Sequence, residues 1–178
     1  MMYKIRPYVN IKTLLTIYYS LIYSQISYAI EVWGSVGIRQ LNRVLLLQKR
    51  VVRLILYKDK RGDDYTLPPS EPLFICLNIM PIHSIYKLRI LNFVFKSLKK
   101  LCHTQFHTWF SFSSRIHNHE TQSSANNNLF IPQIRTTFYG KKSIKYMGPK
   151  LWNDLPNSIK FIAKYCTFES KLKLHLRQ

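Results

Sequence analysis

The chain has 178 residues, 47% of them hydrophobic and 14% aromatic, with 27 lysines and arginines against 8 aspartates and glutamates, a net charge of +19. So much apolar side chain excludes intrinsic disorder, and 5 glycines are too few for a turn-rich sandwich or barrel. The expected class is mainly α, α+β at most, and the surplus cation calls for a polyanionic partner to relieve self-repulsion, which points to nucleic acid.

Taken in chain order, Ile11 to about Gly34 reads as a helix that is apolar nearly all round and therefore covered on most sides. Its stretch Thr13–Ile30 carries no charge, but four tyrosines with Ser, Thr and Gln suit hydrocarbon poorly, so a buried helix is expected rather than a membrane span. Gly34 and Gly37 punctuate its end. The next stretch, about Ile38–Tyr57, is amphipathic: Leu41, Val44, Leu45, Val52 and Ile55 recur at helical spacing, and Arg39, Arg43, Arg50 and Arg53 fall opposite, with Lys49 beside them. No acidic residue alternates with those arginines, as it would in a face laced with salt bridges, so they are expected to meet phosphates.

Lys58–Ser70 reads as a hydrophilic connector, after which Ser70 can cap a short helix through about Leu77 and Pro81 suits the first turn of another. Ile82–Leu101 is then a long helix, with Ile82, Ile85, Tyr86, Ile90, Phe93, Val94, Leu98 and Leu101 on its apolar face and Arg89, Asn92, Lys96 and Lys99 in a narrow polar strip. Periodicity fails from Cys102 to Asn128, where a loop is expected. Leu129–Ile134 and Arg135–Ile144 could pair as a small β-hairpin. Pro149–Leu155 reads as a short helix stopped by Pro156, and Thr167 can cap a last one carrying Phe168, Leu172 and Leu176. The expected organisation is a helical, thumb-like domain over 1–101, a linker over 102–128, and a basic C-terminal segment over 129–178.

Little catalytic chemistry can be assembled from these residues. Gly62-Asp63-Asp64 superficially matches the acidic pair of a polymerase, but its flanks cannot form the two apolar strands that such a metal site requires. Cys102, His103, His107, His117 and His119 cluster, yet one cysteine with no second pair is not a zinc half-site. No nucleophile elbow or glycine-rich phosphate loop occurs. No metal, cofactor or small-molecule substrate is expected, and no catalysis by this chain on its own. Three scattered cysteines argue against a disulfide framework and for a reducing, intracellular setting, nucleus or cytoplasm.

What remains is cationic and aromatic. Arg135, Lys141, Lys142, Lys145 and Lys150 interleave with Phe138, Tyr139, Tyr146 and Trp152. Lysines suit phosphates, and aromatic rings can stack on unpaired bases. Trp152, at core spacing with Leu151 and Leu155, is expected to dock the segment onto the core instead.

Three blocks together resemble the C-terminal part of non-LTR, LINE- or jockey-like retrotransposon reverse transcriptases. They are Tyr18–Gly34 (YYSLIYSQISYAIEVWG) with Leu45–Arg50 (LLLQKR), then Glu71–Leu88 (EPLFICLNIMPIHSIYKL), then Arg135-Thr136 with Gly140–Ser143 (GKKS) and Gly148–Pro156 (GPKLWNDLP). The resemblance spans nearly the whole chain. It implies a helical thumb-like region and the segment downstream of it, from a parent that copies RNA into DNA, with RNA or a template–primer duplex as ligand and the polymerase palm and fingers as a further partner. The palm's Tyr/Phe-x-Asp-Asp motif is absent, so no catalytic residue carries over and the chain reads as a truncated piece. Where the family tends to show His-x-x-x-Thr-Arg, this chain has His117 to Gln122 (HNHETQ), without the arginine.

Overall fold

The computed structural model describes residues 2–35, 37–56, 69–115, 127–136 and 140–177. They are mainly helical, as the composition requires, and contacts divide the chain into two compact units. Unit 1 comprises Met1–Ile30 and Val36–Ile85; unit 2 comprises Glu31–Ser35 and Tyr86–Gln178. The division falls at Ile85, whereas the sequence placed its first boundary at Leu101.

Unit 1 begins with α1 (Met2–Ile5) and a 3₁₀ turn over Arg6–Tyr8. Asn10 then caps α2 (Ile11–Ile17), its side chain accepting from the Thr13 N–H at 2.8 Å. The helix does not run on as one α-helix to Gly34. It widens to a π-turn over Tyr18–Tyr23, tightens again as α3 (Ser24–Ser27), and breaks at Ala29, whose φ of 48° is left-handed, before α4 (Ile30–Trp33), of which Ile30 alone belongs to unit 1. Coverage on most sides is also not found: Leu14, Tyr18 and Ile30 are buried, while Ile11, Tyr19, Leu21, Tyr28 and Val32 are exposed. Within the π-turn and just after it, Ser20 and Ser24 turn their hydroxyls back onto carbonyls one turn earlier.

The amphipathic stretch forms α5 (Ile38–Leu56), with Leu41, Gln48, Val52 and Ile55 buried. It packs on α2 and on α6 (Glu71–Cys76), joining Leu14, Tyr18, Leu73, Phe74, Leu77 and Ile79 in one apolar cluster. Ser70 stands at the start of α6 as expected, but its hydroxyl meets Glu71 Oε1 at 3.4 Å rather than a backbone N–H.

A buried polar residue ties this unit together. The Gln48 amide donates to the Tyr18 hydroxyl at 3.0 Å and to the Met80 carbonyl at 3.3 Å, and its oxygen accepts from the Ile82 N–H at 2.8 Å. Ile82 is the first residue of α7 (Ile82–Leu98), so a side chain 34 positions away satisfies one of the donors that every helix leaves open at its start.

Of α7, Tyr86 onward belongs to unit 2. Its polar strip is less exposed than its spacing suggests: Asn92 is buried and Arg89 and Lys96 are half-buried, with Lys99 exposed; Ser97, Leu88, Leu91 and Phe95 are buried as well, while Leu101, beyond the helix end, is exposed. The Ser97 hydroxyl donates to the Phe106 carbonyl, which folds the segment after the helix back onto it. There Phe106, Trp109 and Phe110 gather round Phe93, with ring centroids 5.2, 6.0 and 6.2 Å from it, so the first part of the expected linker is packed.

The expected β-hairpin is not seen among the described residues. Leu129 instead pairs as a single antiparallel bridge with Phe112. The Asn153 amide grips the Leu129 backbone, accepting from its N–H at 2.8 Å and donating to its carbonyl at 2.9 Å. With those groups engaged by Asn153, and the Phe130 N–H donating to the Ser111 carbonyl at 2.9 Å, the start of the expected first strand is already partnered elsewhere. The residues proposed for that strand end in α8 (Ile144–Asn153), which begins five residues before the Pro149 start expected of it. Then come α9 (Asn157–Lys160) and α10 (Tyr165–His175); α10 starts after Lys164, so Thr167 lies inside it rather than capping it.

Gly148 is what lets α8 seat. A methyl group built on it would lie 2.8 Å from Val94 Cγ2 and 2.9 Å from Phe110 Cε1. Gly148→Ala should therefore destabilise unit 2 by about 1–3 kcal/mol through overpacking, against a gain of about 1 kcal/mol from helix propensity. Urea unfolding monitored by circular dichroism reads the net sign; a stabilised variant would refute the close contact.

Candidate nucleic-acid interface

The first candidate surface is on α5. Arg39, Arg43, Leu46 and Arg50 lie at i, i+4, i+7 and i+11, one continuous stripe opposite the buried line of Leu41, Gln48, Val52 and Ile55. Arg39, Arg43 and Arg50 are exposed; Arg53, nearer the edge of the stripe, is half-buried. Lys49 is also half-buried and is pinned to Glu71 at 3.4 Å. The other ion pair among the described residues is Lys173 with Glu169, at 2.7 Å, so neither engages the three exposed arginines. Leu46 and Leu47 are each 57% exposed, so the cationic stripe has apolar side chains within it. That was readable: three consecutive leucines, 45 to 47, span too wide an arc for all to face inward.

The second candidate surface is in unit 2. The Lys141 N–H donates to the Thr136 carbonyl at 3.3 Å, which sets Arg135 beside the turn that carries Lys141 and Lys142. That turn leads into α8, whose first N–H groups add positive potential. Arg135, Lys141, Lys145 and Lys150 are exposed and Lys142 is half-buried. Lys145 and Lys150, five residues apart, sit roughly 140° apart around α8 and do not share a face. Lys145 lays its ammonium over the Trp109 ring, 4.7 Å from the centroid.

The block Gly148 to Pro156 turns Gly148, Pro149, Trp152 and Leu155 to the interior and leaves Lys150, Asp154 and Pro156 exposed. Trp152 is 3% exposed, stacks on Phe168 at 5.9 Å and donates from its indole N–H to the Asn127 carbonyl at 3.1 Å. Pro149 and Leu155 are buried as well, which bears out the docking role expected for the segment. Lys160 just beyond is buried too, its ammonium donating to Asn128 Oδ1 at 3.0 Å and to the Asn153 carbonyl at 2.9 Å. Burial pulls its pKa below the ordinary lysine value, partly offset by Asp154. This lysine is therefore a structural donor rather than part of a phosphate-facing patch.

Gly62-Asp63-Asp64, His117, His119, Phe138 and Tyr139 lie outside the described residues. His107 Nε2 is 2.7 Å from the Cys102 carbonyl and is used locally. No group of three His, Cys, Asp or Glu side chains among the described residues is arranged to hold a metal ion, and no helix among them is long and apolar enough to cross a membrane. Sequence reasoning passed over Gln48, Asn153, Lys160 and Trp109. Each is a single polar or aromatic residue with at least one partner far along the chain. Compared with models of protein families, with curated proteins and with solved structures, the chain finds no match.

Proposed function

We propose that this chain is the thumb and downstream region of a non-LTR retrotransposon reverse transcriptase and that it holds RNA or a template–primer duplex without catalysing its synthesis. The observation that carries the reading is the exposed Arg39–Arg43–Arg50 stripe, clear of both ion pairs, on one side of a 19-residue helix in a chain of net charge +19. The buried face of α5 fixes the helix, so the three guanidinium groups are presented over about 16 Å without ordering a loop first. Guanidinium forks match phosphate oxygens two at a time. Arg135, Lys141, Lys142 and Lys145 supply a second, lysine-rich contact whose point charges track a backbone without reading bases.

Filter binding of an RNA–DNA duplex across a salt series tests this. The expected plot of log K against log salt falls steeply, and replacing Arg39, Arg43 and Arg50 together with glutamine makes the slope shallower by roughly 2–3, about 0.9 per lost phosphate contact. A flat plot for the unaltered protein would sink the phosphate model. Leu46 and Leu47, exposed beside the arginines, favour a second reading, a helical protein lying on an anionic membrane surface. That reading requires partition onto vesicles that survives high-salt washing.

A further inference from the structure

We propose that Trp109 and Lys145 form a stacking site for one unpaired base of a single-stranded RNA or DNA. This rests on the nucleic-acid reading above and adds what that reading lacks, a reason to prefer single strands.

Trp109 and Trp152, two of the three tryptophans of unit 2, differ in how they are used. Trp152 fills space: it is nearly inaccessible, its ring lies along Phe168, and its indole N–H is consumed by the Asn127 carbonyl. Trp109 is half-buried, and its indole N–H donates to no group among the described residues. Phe106 and Phe93 meet it at steep angles, 86° and 68°, with centroids 4.8 and 6.0 Å away, so the ring is held before any ligand arrives. The group over its ring is the exposed ammonium of Lys145, 4.7 Å from the centroid.

An ammonium on an aromatic face is a displaceable cover. Its attraction to the ring at an accessible site is small beside stacking of a base on that ring. The lysine stem is long enough for the ammonium to leave the ring and meet a phosphate flanking the stacked base, so the cation is kept while the ring is freed. Lys141 and Lys142, in the turn that opens α8, continue the positive path for the strand. A duplex gains nothing from this arrangement, because its bases are already stacked on one another.

The test titrates the full chain with a twelve-residue oligo(U), the same length of oligo(dT), and a twelve-base-pair duplex at one salt concentration, reading tryptophan fluorescence and anisotropy together. The expected result is quenching by both single strands and not by the duplex. Trp109→Leu should abolish the quench and weaken single-strand binding about tenfold, within the range for one base stacked on an aromatic ring, while leaving duplex affinity unchanged within about twofold. Lys145→Gln, which keeps the ring, should make the single-strand salt slope shallower by about 0.7. If Trp109→Leu no longer melts cooperatively, the quench in the unaltered protein and the Lys145→Gln slope decide the matter without it. Unchanged fluorescence at saturation, equal losses for single strand and duplex, or undiminished single-strand binding by Trp109→Leu would overturn the stacking site alone. Salt-independent binding, or no binding to any of the three, would overturn the nucleic-acid reading with it.

Discussion

Trp152→Ala is expected to lower the stability of unit 2 by about 4–6 kcal/mol, the largest loss for any single side chain there. The indole sits at one end of a column of rings: Trp152 on Phe168 at 5.9 Å, then Phe168 on Phe95 at 4.3 Å. The column joins α8 to α10 and to α7. Truncating a large buried aromatic side chain costs about 3–5 kcal/mol in lost transfer energy and residual cavity. The Asn127 carbonyl, deprived of its donor, adds about 1 kcal/mol. Against a total of about 5–15 kcal/mol for a domain, that leaves unit 2 at the edge of folding. Trp152→Phe keeps most of the stack and should cost less than half as much. Its nucleic-acid affinity should match that of the unaltered protein, because Trp152 serves the fold and not a ligand. Urea unfolding read by circular dichroism gives the first number and filter binding the second. A Phe variant that folds well but loses nucleic acid would return Trp152 to the binding surface.

Legibility tracked the range of the interactions involved. In α5 the helical period alone separated Leu41, Val52 and Ile55 from Arg39, Arg43 and Arg50, because which side of a helix faces inward is a local property repeated five times over nineteen residues. Arg53 was placed with its neighbours and lies half-buried, a matter of where the rim of the packed face falls, which spacing does not specify. The hairpin failed for the opposite reason. Residues 129–134 have strand-like composition, but whether they pair depends on what competes for their backbone, and the competitor, Asn153, is 24 positions away. At Pro149 the usual preference of proline for a first turn suggested a helix start; close packing of Gly148 on Val94 and Phe110 instead carries the helix through it from Ile144. The candidate site divides the same way. Its charges were visible as composition, whereas the aromatic ring under Lys145 was not, because Trp109 sits 36 residues earlier in a stretch without periodicity.

Gln48 offers the sharpest test of unit 1, because leucine has nearly its volume and none of its hydrogen bonds. Gln48→Leu should cost about 3–4 kcal/mol: the Ile82 N–H, the Met80 carbonyl and the Tyr18 hydroxyl all lose a partner at a place reached by little water. Tyr18 separates this polar account from a packing one. Its ring is fully buried, and burial pushes its hydroxyl up from 10.0 to about 12, a rise that the hydrogen bond from Gln48 partly opposes. An acid whose pKa is higher in the folded chain than in the unfolded one contributes stability in full below pH 10. That contribution is lost as pH climbs from 10 towards 12, since the unfolded chain releases the proton first. Deprotonating lysines relieve the charge surplus over the same interval, so the raw pH profile mixes two opposite slopes. Tyr18→Phe removes one of them. The unaltered protein should therefore fall relative to Tyr18→Phe by about 3 kcal/mol between pH 10 and 12, at about 1.4 kcal/mol per pH unit. In the Gln48→Leu background the hydroxyl has lost the donor that favoured its ionised form, and the relative fall should extend to still higher pH. Parallel profiles for the unaltered protein and Tyr18→Phe across this range would mean that the Tyr18 hydroxyl reaches water, and the polar junction between α5 and the start of α7 would have to be abandoned.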